Sequence, residues 1–107
     1  MINQHHTSII SNKAELGSNV TVGPYCIINE NVKIGNNAIL KAHVYIDGNT
    51  FIENNCTFYP YCSIGTSPQD LKYKGEKSIL KIGSNNTFRE HVTINPGTVG
   101  GGLETVI

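Results

Sequence analysis

A carboxylate precedes several lysines in the second half of the sequence. Asp70 is followed by Lys72, Lys74, Lys77 and Lys81. A lone carboxylate lacks the second titrating group that acid–base catalysis usually requires. These residue types therefore favour polar contacts with a substrate. The alternative for Asp70 is a carboxylate with only local hydrogen bonds. The alternatives for the lysines are a solvated run of charge and a contact with an acidic partner.

The glycine run Gly100–Gly102 could suggest a phosphate-binding loop. It lacks the Gly-Lys-Ser/Thr ending and the following helix that such a loop needs. We interpret it as a flexible connection instead.

The elements that must position these groups are indicated by a period of six. Every sixth residue is large and apolar, and the series has one gap: Ile10, Leu16, Val22, Ile28, Ile34, Leu40, Ile46, Ile52, Phe58, Ile64, then Ile82, Phe88 and Ile94. Neither an α-helix nor a single strand needs this spacing, whereas the hexapeptide repeat of a parallel β-helix does. Three hexads per coil give about five coils and stack residues 18 positions apart, which places Ile82 above Ile64.

The repeat also predicts the surroundings of the cysteines and histidines. Cys26, Cys56 and Cys62 fall in a small inward slot, so we expect buried free thiols and no disulfide or metal site. His43 and His91 fall at outward corners on different faces, where a solvated corner is the first interpretation and a subunit interface the second. His5 and His6 precede the repeats and are expected to do no chemistry.

Two interruptions of the repeat predict extruded loops over residues 66–81 and 96–102. Asp70 and Glu76 occupy repeat positions of the first interruption and cannot enter an apolar shaft. Long excursions from a rigid scaffold often carry function. The predicted architecture is thus a single all-β domain, 1–107, with two loops.

Composition excludes several classes of protein. Eight basic and eight acidic residues balance, so no net charge favours nucleic acid. No apolar run approaches the ~20 residues of a membrane span, and the N-terminus lacks the pattern of a signal peptide. We expect a cytoplasmic protein.

Two segments resemble a known family closely. They are Ser67–Glu76, which contains Pro-Gln-Asp-Leu-Lys-Tyr, and Phe88–Thr98, which is followed by the glycines Gly100–Gly102. Together they resemble the N-terminal part of the acyl-[acyl-carrier-protein]–UDP-N-acetylglucosamine O-acyltransferase family. The resemblance covers essentially the whole chain.

The resemblance implies a left-handed coil, an exception to the usual right-handed crossover, and a homotrimer with active sites between neighbouring coils. It implies transfer of a 3-hydroxyacyl group from acyl carrier protein to the 3-hydroxyl of UDP-N-acetylglucosamine, the first step of lipid A synthesis, without a cofactor or metal. Gln69, Asp70 and Lys72 are implied substrate contacts. Asn95 stands where some members have a histidine, which favours a polar contact over acid–base work.

The family's chains are more than twice as long as this one. The resemblance therefore implies that the remaining coils, the catalytic histidine and a C-terminal helical domain lie beyond Ile107. No catalytic residue is expected within the chain, and these residues alone are expected to be inactive. A truncated, non-catalytic solenoid and another hexapeptide-repeat acetyltransferase are the alternatives. A carbonic anhydrase of the same fold is disfavoured, because His43 and His91 are predicted on different faces.

Overall fold

The computed structural model describes residues 2–65, 79–94 and 104–107, which form three parallel sheets of five strands each. Sheet A contains β1 (Ile2–Gln4), β4 (Val20–Val22), β7 (Ile39–Leu40), β10 (Thr57–Phe58) and β13 (Thr87–Phe88). Sheet B contains β2 (Ile9–Ile10), β5 (Ile27–Ile28), β8 (Tyr45–Ile46), β11 (Ser63–Ile64) and β14 (Thr93–Ile94). Sheet C contains β3 (Glu15–Leu16), β6 (Lys33–Ile34), β9 (Asn49–Ile52), β12 (Ile79–Ile82) and β15 (Glu104–Val106).

The chain passes from sheet A to B to C and then returns to A, so each circuit makes one coil of a β-helix. The predicted left-handed parallel β-helix is confirmed. None of the described segments contains a helix long and apolar enough to cross a membrane.

The period of six produces the buried core. Side chains alternate along a strand, so the last residue of each short strand points into the shaft and its predecessor points outward. Ile28, Ile46 and Ile64 are 0% exposed on sheet B, as is Phe58 on sheet A. Burial of each such side chain stabilises the fold by about 1.5–3 kcal/mol.

The predicted stacking is wrong above the first interruption. Ile82 pairs with Ile52 rather than lying above Ile64, and Ile94 takes the place above Ile64. Hydrogen bonds between successive coils join residues 18 positions apart below the interruption and 30 apart across it. The reason is that the interruption lies within one circuit, between the sheet B strand β11 and the sheet C strand β12.

The predicted boundary of the first loop, 66–81, is also wrong at its end. Strand β12 begins at Ile79, and Leu80 is fully buried beside Thr50. Lys81 consequently lies on an outward strand position and not in the loop. Residues 66–78 lie outside the described part of the chain, and so does the second predicted loop, 96–102.

All three cysteines are buried and free, as the repeat predicts. The Cys62 Sγ donates to the carbonyl oxygen of Arg89 at 3.0 Å, and the Cys56 Sγ donates to that of Gly83 at 3.2 Å. Burial raises the pKa of the Cys26 thiol above its ordinary value, and burial is also the largest cause of the raised pKa of Cys62. These thiols therefore act as small apolar side chains.

The raised thiol pKa values predict slow labelling and a loss of stability at high pH. In the unfolded chain these two thiols ionise near their ordinary pKa of about 8.5, whereas the raised pKa values of Cys26 and Cys62 shift their ionisation to higher pH in the folded chain. Unfolding then releases protons, so the free energy of unfolding falls as the pH rises through that range. A disulfide reagent should label the native thiols at least about 100-fold more slowly than the urea-unfolded ones.

Urea titrations at neutral pH and near pH 9.5 test the second effect. The pH-dependent loss should be smaller in the double variant Cys26→Ala/Cys62→Ala than in the wild type. Rapid labelling of the native protein, or an equal loss in both proteins, would contradict the assignment.

Candidate functional site

The predicted site residues belong to two connections that leave one corner of the coil. The first connection joins Gly65, after β11, to Ile79, and the second joins Ile94, after β14, to Glu104. Both run from sheet B to sheet C. Because β14 lies beside β11 and β15 lies beside β12, the two connections begin and end on successive coils.

None of the predicted substrate contacts can be placed directly. Gln69, Asp70 and Lys72 fall within the first connection and Asn95 within the second, and all four lie outside the described residues. Their roles stay predictions. The structure does bring together the ends of the two segments that carry them, which the sequence analysis did not foresee.

The described part of this corner is tightly packed around Gly65. Gly65 has φ +77°, and a Cβ there would lie 2.2 Å from both the carbonyl oxygen of Asp47 and the Oγ1 of Thr50. Gly48, in the coil below, has φ +72°. Glycine is required at Gly65 for two reasons, since the conformation is left-handed and the space for a side chain is absent.

A polar cluster supports the same corner from outside the shaft. The Asn29 Nδ2 donates to the Asp47 Oδ1 at 3.0 Å and to the Tyr45 hydroxyl oxygen at 3.1 Å. The Tyr45 hydroxyl in turn donates to the Asp47 Oδ2 at 3.3 Å. All three residues are partly buried. We refer to Asn29, Tyr45 and Asp47 as the Asp47 cluster.

Sequence reasoning did not single out the Asp47 cluster. Its signal is the pair Asp47-Gly48, which often forms a tight turn. The pair follows Ile46, where the coils below have other residues. Asp47 approaches Asn29 only through the stacking of coils, because the two residues are 18 positions apart.

The histidines lie at a different corner and form a stacked ladder of rings. The ring centroids are 5.1 Å apart for Tyr25 and His43, 5.0 Å for His43 and Tyr61, and 5.3 Å for Tyr61 and His91. The prediction that His43 and His91 lie on different faces is therefore wrong. The 30-residue step across the interruption places His91 above Tyr61, on the corner between sheets A and B.

This ladder explains why bulky residues occupy strained corner positions. His43 has φ +52° and Tyr61 has φ +67°, a region where large side chains are uncommon. Ring stacking contributes about 0.5–1.5 kcal/mol per pair and offsets this strain. Among the described residues no three His, Cys, Asp or Glu side chains come together as a metal site, and we assign the ladder no catalytic role.

A shallow cavity of about 350 Å³ lies on the outer side of sheet C. Its lining includes Phe51, Ile79 and two ion pairs, Lys33–Glu15 at 3.4 Å and Lys13–Glu30 at 3.9 Å. Exposed pairs of this kind contribute little to stability. Because each of these lysines faces a glutamate, the cavity has no excess of positive charge with which to attract an anion.

Comparison with known proteins agrees with the architecture. Residues 13–48 match the family model described as bacterial transferase hexapeptide (six repeats). The crystal structure of LpxA from Acinetobacter baumannii superimposes with a TM-score of 0.93 at 44% identity, covering 99% of this chain and 40% of that one. The UDP-N-acetylglucosamine acyltransferase of Francisella novicida superimposes with a TM-score of 0.92 at 39% identity, covering 100% and 38%. The fold and repeats are thus those of the hexapeptide-repeat transferases.

Curated relatives narrow the class further. The acyl-[acyl-carrier-protein]–UDP-N-acetylglucosamine O-acyltransferase of Thermodesulfovibrio yellowstonii is 55% identical over 103 residues, which are 96% of this chain and 40% of that protein. The corresponding protein of Aliarcobacter butzleri is 55% identical over 107 residues, which are 100% of this chain and 41% of that protein. This chain belongs to the acyl-[acyl-carrier-protein]–UDP-N-acetylglucosamine O-acyltransferase family, as the resemblance indicated. It spans about 40% of the length of these relatives.

Proposed function

We propose that this chain supplies substrate-binding coils of an enzyme that acylates UDP-N-acetylglucosamine in the first step of lipid A synthesis. The observation that carries the proposal is the common corner of the two connections. A parallel β-helix is rigid, so successive coils hold the ends of both connections at a fixed spacing of about 4.8 Å. Residues from two segments are then available to one substrate.

The proposed reaction is acyl transfer to a hydroxyl. The 3-hydroxyl oxygen of the sugar attacks the thioester carbonyl of the 3-hydroxyacyl-acyl carrier protein. A C–O bond forms and the C–S bond breaks. A general base accepts the hydroxyl proton, and the leaving thiolate of the carrier is protonated. The family resemblance implies a histidine base beyond Ile107, so the residues of this chain bind and orient substrate.

Within that reaction Gln69 and Asp70 are proposed to contact the sugar nucleotide or the acyl chain, Asp70 by accepting a hydrogen bond and Gln69 through its amide. Lys72 is proposed to contribute a positive charge at the same site, and Asn95 a polar contact from the neighbouring coil. Acyl carrier protein as donor, a homotrimer and a cytoplasmic location complete the proposal. The chemistry requires no cofactor or metal.

The decisive experiment is to read the gene beyond the codon for Ile107 and to assay its product. We expect further hexads that include a histidine. The purified product should transfer a 3-hydroxyacyl group from acyl carrier protein to UDP-N-acetylglucosamine, with the Thermodesulfovibrio yellowstonii relative as positive control. The 107 residues alone should not. A stop codon after Ile107, or a product that acylates a different sugar, would refute the proposal in favour of a non-catalytic solenoid or another acetyltransferase.

Replacing Asp70 by alanine in that product should reduce kcat/KM for the sugar nucleotide roughly 10- to 100-fold, because a hydrogen bond to a charged group is lost. The melting temperature should stay within about 1 °C, since a charged carboxylate is not expected to contribute to an apolar core. Glu76→Ala, in the same segment, is the matched control and should leave the rate unchanged. Equal kinetics for Asp70→Ala and Glu76→Ala would reject the role of Asp70.

A further inference from the structure

The third coil differs from the coils below it at the corner between sheets B and C. In the first two coils the corner passes through two turn residues, Asn12-Lys13 and Glu30-Asn31, into the two-residue strands β3 and β6. In the third coil it turns at Gly48 into β9, which has four residues. Strand β12, the first after the connection, also has four residues and pairs with β9 from Asn49 to Ile52. The third coil is therefore shaped to receive the chain as it returns.

The same coil also holds the chain where it departs. The Asp47 amide donates to the carbonyl oxygen of Ile64 at 2.9 Å. The carbonyl oxygen of Asp47 faces Gly65, the last described residue before the connection. The Thr50 hydroxyl, which is 0% exposed, donates to that same carbonyl oxygen at 2.6 Å. Asp47 thus contacts both residues that precede the connection.

The side chain of Asp47 ties this contact to the coil below. Its two carboxylate oxygens accept hydrogen bonds from different groups, one from Asn29 in the second coil and one from Tyr45 in the preceding strand, β8. Two hydrogen bonds to one partly buried carboxylate leave it little rotational freedom. The backbone of Asp47, and with it Gly65, is fixed in position.

We propose that Asp47 is a positioning residue for the segment that carries Gln69, Asp70 and Lys72. It touches no reacting atom. It acts through Gly65, by setting the position and direction in which the chain leaves β11. The relation to substrate rests on the proposed function, whereas the positioning of the segment rests on the contacts of Asp47 alone.

Limited trypsin digestion of the 107-residue chain tests the positioning. Trypsin cleaves after lysine, and Lys72, Lys74 and Lys77 lie in the segment, whereas Lys41 lies in the coil and reports global unfolding. Asp47→Ala should raise the ratio of segment cleavage to Lys41 cleavage about fivefold. Loss of the Asp47 contacts makes local opening at the start of the segment more frequent, while global unfolding stays as rare as before. Asp47→Asn keeps an acceptor for Asn29 and should restore most of the wild-type ratio.

Two further variants separate positioning from general destabilisation. Thr50→Val replaces the hydroxyl that donates to the Asp47 carbonyl by a methyl group and should raise the ratio in the same direction as Asp47→Ala. Glu30→Ala removes an exposed carboxylate from the same corner one coil lower and should leave the ratio unchanged. A ratio that is unchanged in Asp47→Ala, or raised equally in Glu30→Ala, overturns the proposal.

Kinetics of the gene product test the link to substrate. Asp47→Ala should raise KM for UDP-N-acetylglucosamine about tenfold and leave kcat within about twofold, because a misplaced binding segment weakens affinity before chemistry. An unchanged KM together with a raised cleavage ratio would overturn the role in substrate binding. If the wild-type product transfers no acyl group, the proposed function fails, and the cleavage ratio alone still decides whether Asp47 positions the segment.

Discussion

Replacing Ile46 by aspartate is expected to abolish the folded state. Ile46 is 0% exposed on sheet B, with Ile28 in the coil below and Ile64 in the coil above. Loss of a buried isoleucine costs about 2–5 kcal/mol, and the new carboxylate has no partner in the apolar shaft. A domain of this size is stable by only about 5–15 kcal/mol. Because each coil is stabilised mainly by its neighbours, a defect in the third coil separates the coils on either side of it.

Far-UV circular dichroism and urea denaturation measure this effect. The matched control is Ile39→Asp, because Ile39 is 41% exposed on an outward strand position and lies beside the inward Leu40. That variant should keep a native spectrum and lose less than about 1 kcal/mol. A cooperative, native-like melt for Ile46→Asp would show that this position does not face the shaft.

Replacing Phe58 by alanine is expected to lower the free energy of unfolding by about 3–5 kcal/mol. Phe58 is 0% exposed, and its ring stacks on that of Phe88 with centroids 5.0 Å apart and planes inclined by 14°. The substitution leaves a cavity in the shaft at the level where the chain resumes after the first interruption. Little can collapse into this cavity, because the sheets around it are held by backbone hydrogen bonds.

A double-mutant cycle on Phe58 and Phe88 tests the stacking across the interruption. Urea denaturation of the two single alanine variants and the double variant should give a coupling of about 0.5–1.5 kcal/mol. The control cycle pairs Phe88 with Val22, which lies in the same sheet but three strands away. That pair should be additive within about 0.5 kcal/mol. Additivity in both cycles would argue against the observed register.

The core could be predicted from the sequence because the shaft demands one property at each position. Inward residues must be apolar and of suitable size, so a period of six identifies them wherever the coil is regular. The buried columns through Ile28, Ile46 and Ile64 and the three free thiols followed from that period alone. The family could be predicted as well, because the segments around Asp70 and after Phe88 are distinctive.

The register above the interruption could not be predicted, for a physical reason. The step between coils changes from 18 to 30 residues, and the difference of twelve is two whole hexads. An insertion of whole hexads leaves the apolar period in phase. The sequence is therefore equally compatible with Ile82 on the next sheet of the same coil and with Ile82 on the same sheet one coil higher. The misplacement of His91 came from the same ambiguity.

By itself, the amino-acid sequence determined the β-helix, its inward residues, its family and the residues proposed to meet substrate. Only the tertiary structure decided which coil lies beside which. With that decided, both connections leave one corner, Tyr25, His43, Tyr61 and His91 form one ladder, and Asp47 supports Gly65. The physical reason is that burial is a property of each residue and its period. Which residues of successive coils come into contact depends on how many residues of the connection lie outside the regular repeat. That number is set by the strand with which the returning chain forms its backbone hydrogen bonds, here β12 with β9.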